Sequence, residues 1–319
     1  MTDQPRNLPE AASQESSLAD MLPTRVELPA PILADRSKSA GRKLDELSFD
    51  LFKETAGVLI VCGHIIVTYE NIEQPVFERN QAICLGFLVR IVKFMKAILA
   101  ILSHGDELGE VILGLLRCIG ESAVNARFLM LKNDPAIFDQ FVKVSLGPER
   151  ELFDTIQKNI AARDGQPLSV ETRMLASIER LCRVSGVKIE EVPSKHAEWG
   201  GNMRKRIEAL GLEGAYAMVQ RIPSHAIHGT WSDLAMHHLV EEDGGFSPKF
   251  EESSVDSRYL APICMFVLSA AEKYCDVYLA ANPETKPLID RVQDLTDRLQ
   301  KVNSAHEEWY QANKRVDAS

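Results

Sequence analysis

The sequence predicts an all-α fold, a single multi-helix bundle with a disordered N-terminal tail, on three observations. Apolar residues recur at helical period from Leu44 nearly to the C-terminus. The periodic stretches are separated by short clusters of capping and turn residues, such as Asn133-Asp134-Pro135 and Asp164-Gly165-Gln166-Pro167. A strand pattern is confined to Val187–Val192 and is too weak there to build a sheet.

The first 44 residues carry Pro, Ser, Gln, Ala and Asp without periodicity. Such a segment cannot bury enough apolar area to offset its ordering entropy, so the tail is set at 1–44 and one helical bundle domain at 45–315. Leu47, Phe49, Leu51 and Phe52 open an apolar period that runs to about Tyr69. Pro75 suits the first turn of a second helix over 76–103. His104-Gly105-Asp106 then breaks the chain, with an Asp placed to cap a third helix over 107–132. Further helices are expected from Asn133-Asp134-Pro135 to about Val144, from Pro148 toward Arg163, and over 169–185, the last with Met174, Leu175, Ile178, Leu181 and Cys182 inward. Residues 187–201 read as loop. Short helices fit 202–210, 212–220 and 223–239, a loop fits 243–248, and two helices close the chain over 255–281 and 287–314. Leu288, Val292, Leu295, Leu299 and Val302 in the last approach a coiled-coil spacing, which fits either docking on the bundle or a homodimer seam.

Composition narrows the function classes. The balance of 45% hydrophobic and 26% charged residues over 319 positions is that of an ordinary globular protein. A net charge of −10 repels a phosphate backbone at long range, which argues against broad coating of nucleic acid. The six cysteines stand singly in apolar stretches without metal-ligand spacing and read as buried core thiols. The N-terminus has no apolar stretch after a basic start, so no signal peptide is read and a cytoplasmic location is expected. No membrane span is expected: residues 56–69 are too short, and 83–102 are interrupted by Arg90, Lys93 and Lys96 on one face.

Two constellations carry polar chemistry. Arg117, Glu121 and Asn125 are spaced i, i+4, i+8 on a helix that is otherwise apolar or small, which places them inside and demands that they be paired. Either a packing ion pair or one wall of a binding pocket satisfies this pattern. The second runs from Trp199-Gly200-Gly201 through Tyr216, Arg221, Ser224, His225 and His228 to Trp231. On a helix starting at Pro223, Ser224, His228 and Ser232 share a face with His225 in reach. Such imidazoles serve proton transfer or anion binding, or cap buried carbonyls. Asp233, His237 and His238 could extend them, yet the spacing matches no zinc signature, and no metal or cofactor is implied. Residues 173–206 hold eight Lys or Arg against four Glu, either a solvated face or a phosphate-facing surface.

The pattern R-x-x-x-E-x-x-x-N-x-x-x-L at Arg117, Glu121, Asn125 and Leu129, followed by Trp199, Gly211-Leu212, Tyr216, Ser224 and His228-Gly229, resembles bacterial domain of unknown function 5677 over about residues 50–280. That resemblance implies an all-helical fold and no established activity. More distantly the chain is similar to HEPN-type helical ribonucleases, whose R-x(4–6)-H motif would fall on Arg221 and His228, with Pro223 as a departure that disfavours helix at Ile222. Two functions are thus expected: binding or regulation through a polar pocket of Arg117, Glu121, Asn125, Tyr216, Ser224 and His225, or metal-independent RNA cleavage by His228 and Arg221 in a toxin or phage-defence setting. RNA or a small anionic ligand would be the partner.

Overall fold

Helix α4 (Gly109–Lys132) is apolar nearly all round, so the chain must cover it on several sides at once. In the computed structural model, which describes residues 18–33, 35, 37–69, 77–104, 108–195, 197–251, 255–280 and 285–317, α3 (Arg79–Ser103) and α11 (Leu260–Tyr274) flank it. Helices α2 (Lys38–Tyr69) and α12 (Lys286–Asp317) pack on α11 and on each other and complete the bundle. The period of α3 is spent as expected: Cys84, Leu88, Ile91, Met95 and Ile98 are buried, while Arg90, Lys93 and Lys96 face outward. Among the described residues no helix is long and apolar enough to cross a membrane. All six cysteines are free thiols; five are buried and Cys118 is half-buried. The α12 stripe from Leu288 to Val302 lies wholly within the core, so those residues are not available as a dimer seam.

Shorter elements ring this bundle. Helix α5 (Pro135–Ser145) starts on Asp134, whose side chain accepts the Ala136 N–H at 2.9 Å. Helices α6 (Gly147–Ala161) and α7 (Ser169–Ser185) follow, and Val142, Leu146, Val187 and Val192 form a small second cluster. Helix α8 (Met203–Ala209) is capped by Asn202, which accepts the Lys205 N–H at 3.0 Å.

The helix expected over 223–239 is two pieces. Helix α9 (Ile222–His228) stops at Gly229, whose φ of 54° is left-handed, and Thr230 caps α10 (Trp231–Asp233) before a π-helical turn over Leu234–His238. Ser232 therefore does not share a helix with Ser224 and His228. The expected loop over 243–248 is half of a hairpin, β1 (Leu239–Glu242) paired antiparallel with β2 (Gly245–Pro248). Asp243-Gly244 forms its two-residue turn, with Gly244 at φ 90°.

Pro75, Gly105 and Asp106, with the helix start and cap expected there, and residues 1–17 of the expected tail lie outside the described residues. Within the rest of that tail, α1 (Leu18–Met21) is followed by an extended strap in which Leu22, Val26, Leu28 and Ile32 pack on the core. Its anchor is a buried charge cluster. The Val26 N–H donates to Glu54 at 2.9 Å, Arg298 donates to the Val26 carbonyl at 2.9 Å, and Arg298 and Arg291 both pair with Glu54. Burial alone would raise the Glu54 carboxyl, but hydrogen bonds from Arg298 and Val26 hold it below the ordinary range. Glu54→Ala leaves the buried Arg298 without its main counter-charge, and we expect a loss on the order of 3–5 kcal/mol in chemical denaturation.

A second buried polar group joins the same helices. His306 Nε2 lies 3.0 Å from Ser48 Oγ and 3.4 Å from Ser257 Oγ, and Ser257 donates to Asp45. Burial pushes the imidazole below its ordinary pKa against the pull of Asp45 and Asp256, with Arg258 adding to the lowering. The unfolded chain therefore takes up this proton at a higher pH than the folded one, and stability is lost as pH falls below about 6.5. The melting temperature should decline between about pH 7.5 and 5.5, and His306→Gln should remove that part of the slope. The lowered carboxyls of Glu54, Asp256 and Asp294 lose their contribution only in more acid solution.

Candidate functional site

Gly120 sets how near the histidine-bearing segment comes to α4. A Cβ placed there would meet Val219 Cγ1 at 2.8 Å, so only a bare backbone lets the π-helical turn Ala217–Arg221 lie this close. That turn also resolves the departure expected at Pro223. Arg221 and Ile222 both keep right-handed helical angles, and the wide i→i+5 turn places the residue without an N–H in the first turn of α9. Arg221 and His228 consequently lie on one continuous helical path, which the sequence pattern alone did not suggest.

On the α4 side, Arg117 Nε donates to Glu121 Oε1 at 2.8 Å, the i, i+4 pair expected from the spacing. The Gln220 amide closes a ring with them: its nitrogen donates to Glu121 Oε1 and its oxygen accepts from Arg117 Nη2, both at 2.8 Å. The remaining arm of the guanidinium, Nη1, lies 3.4 Å from His228 Nε2. A guanidinium can only donate, so a hydrogen bond across this contact has His228 Nε2 as its acceptor. Arg117 is largely covered, with 14% of its side chain accessible, whereas His228 is exposed, so the ring joins an interior cation to a surface imidazole.

The other expected residues distribute around this ring. Ser224 donates to the Gln220 carbonyl one turn back, and His225 Nδ1 lies 2.9 Å from Thr230 Oγ1. Asn125, one turn along α4 from Glu121, has a buried Oδ1 without a partner among the described residues. Tyr216 stands apart, its ring centroid 5.2 Å from the Arg204 guanidinium. Arg221 is exposed and makes no ion pair among the described residues; the guanidinium beside His228 is that of Arg117. Asp233 is buried, with His238 Nε2 at 3.7 Å, and no three His, Cys, Asp or Glu side chains converge as metal ligands among the described residues.

Two members were not singled out from sequence. Gln220 completes the i+4 series Tyr216, Gln220, Ser224, His228, so its spacing did carry a signal. Arg206 is buried and in no ion pair among the described residues. It donates to the Trp199 carbonyl at 3.0 Å, its guanidinium stacks 4.2 Å from the Trp199 ring centroid, and its Nε has no partner. Burial holds its pKa below the ordinary value, opposed by the charges of Glu121 and Glu198.

Gly120→Ala should cost about 1–3 kcal/mol by overpacking against Val219. Adding Val219→Ala should recover a good part of that loss in a thermal-melt cycle, because it deletes the methyl that the new Cβ would strike.

A family model described as a family of unknown function, DUF5677, matches residues 81–246, a span that holds α4, the π-helical turn, α9 and most of the hairpin. No curated protein and no solved structure matches the chain.

Proposed function

Since the chain belongs to the DUF5677 family, whose description assigns no activity, we propose from the geometry that it is a binding or regulatory module whose site is the ring of Arg117, Glu121, Gln220 and His228, with a small anionic ligand. One observation carries this reading: the ring extends to an exposed imidazole. An internal ion pair would already satisfy the burial of Arg117, and Glu121 alone supplies that partner. Gln220 and His228 go further and take up the remaining guanidinium donors, so that the network reaches a surface histidine. Arg221, His225 and His228 follow one another at i, i+4, i+7, which lines an exposed cation and two imidazoles along one side of the helix. An anion docked there would meet an immobilised donor and so lose little to ordering.

A second reading is metal-independent RNA cleavage. It is favoured by an exposed imidazole 3.4 Å from the largely covered guanidinium of Arg117, the two groups that proton transfer and a pentavalent phosphate require. In that reading His228 moves the proton and Arg221 or Arg117 steadies the phosphate.

The test is thermal melting and calorimetric titration with inorganic phosphate, run beside cleavage of an oligoribonucleotide in EDTA, for the wild type, Arg221→Ala and His228→Ala. Binding of phosphate that weakens at least fivefold in both variants, with their melting temperatures unchanged, supports the binding reading. Cleavage by wild type that disappears in an equally stable His228→Ala selects the ribonuclease. Neither binding nor cleavage, with His228→Ala melting several degrees lower, overturns both and leaves the imidazole a packing group.

A further inference from the structure

Helix α7 buries one side and leaves a second apolar side uncovered. Ile178 and Cys182 are buried together with Glu171, which caps the start of its own helix and pairs with Arg163. Met174 and Leu181, expected to face inward, do not: they are 40% and 39% exposed, beside Val170 at 42% and Val184 at 76%. The reason is angular. The buried residues center on a direction roughly 80° around the helix from the line of Val170, Met174 and Leu181, and the neighbours within the chain cover the first side more fully than the second.

Val170, Met174, Ser177, Leu181 and Val184 are spaced 4, 3, 4, 3, which is the alternation of d and a positions in a coiled-coil seam, about 21 Å long. In that register the g positions are Arg173 and Arg180, both exposed and neither in an ion pair among the described residues. The e positions are Glu171 and Ile178, which are buried in the fold, and the half-buried Ser185. Arg183 is exposed nearby, and Glu179 is the exposed acid of this helix, pointing away from the seam.

These charges select the occupant. A parallel partner pairs its e positions with g, and on a second copy of α7 two of those e residues are already spent inside the chain. An antiparallel second copy would set Arg173 and Arg180 against the same arginines, a like-charge contact that costs rather than stabilises. A helix carrying acidic residues beside its own apolar a and d positions meets neither obstacle and gives each arginine a partner. We infer that the Val170–Val184 face of α7 is a docking surface for an acidic amphipathic helix of another protein, with Met174 and Leu181 as its apolar anchors and Arg173 and Arg180 setting the choice of partner. This surface is separate from the Arg117–His228 ring, so the inference stands or falls independently of the function proposed there.

The probe is a fluorescein-labelled, designed helical peptide of three heptads with Leu at a and d and Glu at e and g, whose like charges disfavour self-pairing, compared with the same peptide carrying Lys at e and g. Anisotropy with the full-length protein is expected to give at least tenfold tighter binding of the Glu peptide. Leu181→Glu should weaken it at least tenfold at an unchanged melting temperature. Arg173→Glu with Arg180→Glu should reverse the preference between the two peptides. No binding of either peptide, equal binding of both, or binding indifferent to Leu181→Glu would overturn the inference. Self-association in sedimentation that Leu181→Glu abolishes would overturn it in favour of a second copy, and flotation with phosphatidylglycerol vesicles that the same variant abolishes would do so in favour of a lipid surface.

Discussion

The close packing of Val219 on the bare backbone at Gly120 governs the polar site. Val219 fills the space that a side chain on α4 would occupy, and the π-helical turn carrying it sets Gln220 against Arg117 and Glu121. From there the helical path through Pro223 brings His228 to the remaining arm of the guanidinium. A wider separation would leave Arg117 and Glu121 as an isolated pair on a half-covered helix. Pro223 lies two residues beyond the wide turn, in the first turn of the next helix, where its missing N–H leaves no hydrogen bond unmade.

The protein treats its interior charges in three different ways. Glu54, Arg291 and Arg298 form a buried cluster that takes in the Val26 peptide and runs on through Asp294 to Arg25 of the strap, so the charges serve to fasten the strap to α2 and α12. Arg117 and Glu121 instead spend their spare bonds on side chains that reach the surface, Gln220 and His228. Arg206 is a third case, a covered cation stabilised by an aromatic face and one carbonyl, with carboxylates acting only from a distance. The first arrangement ends in an ion pair between Asp294 and Arg25, whereas the second ends in an exposed imidazole, which is why a function is proposed there.

Much of this was legible in the sequence because helical period and capping chemistry are local. The bounds of α7 and the cap of α5 by Asp134 follow from residues within one turn of each other, as does the Arg117–Glu121 pair. The Asp243-Gly244 turn was equally local and could have revealed the hairpin, but its strands are short and mostly exposed, so period-two alternation hardly registers.

What the sequence by itself determined is the all-helical class, the buried stripes on α3 and α12, and the pairing of Arg117 with Glu121, since each depends on neighbours one or two turns away. Only the tertiary structure decided that Arg117 rather than Arg221 stands beside His228, that the strap over Val26 is held by Glu54 and Arg298, and that Met174 and Leu181 face solvent. Those outcomes turn on which of two available faces or partners a distant element covers. Periodicity shows that a face is apolar, or that a charge needs a partner, but the direction from which a remote helix arrives is set by long-range packing.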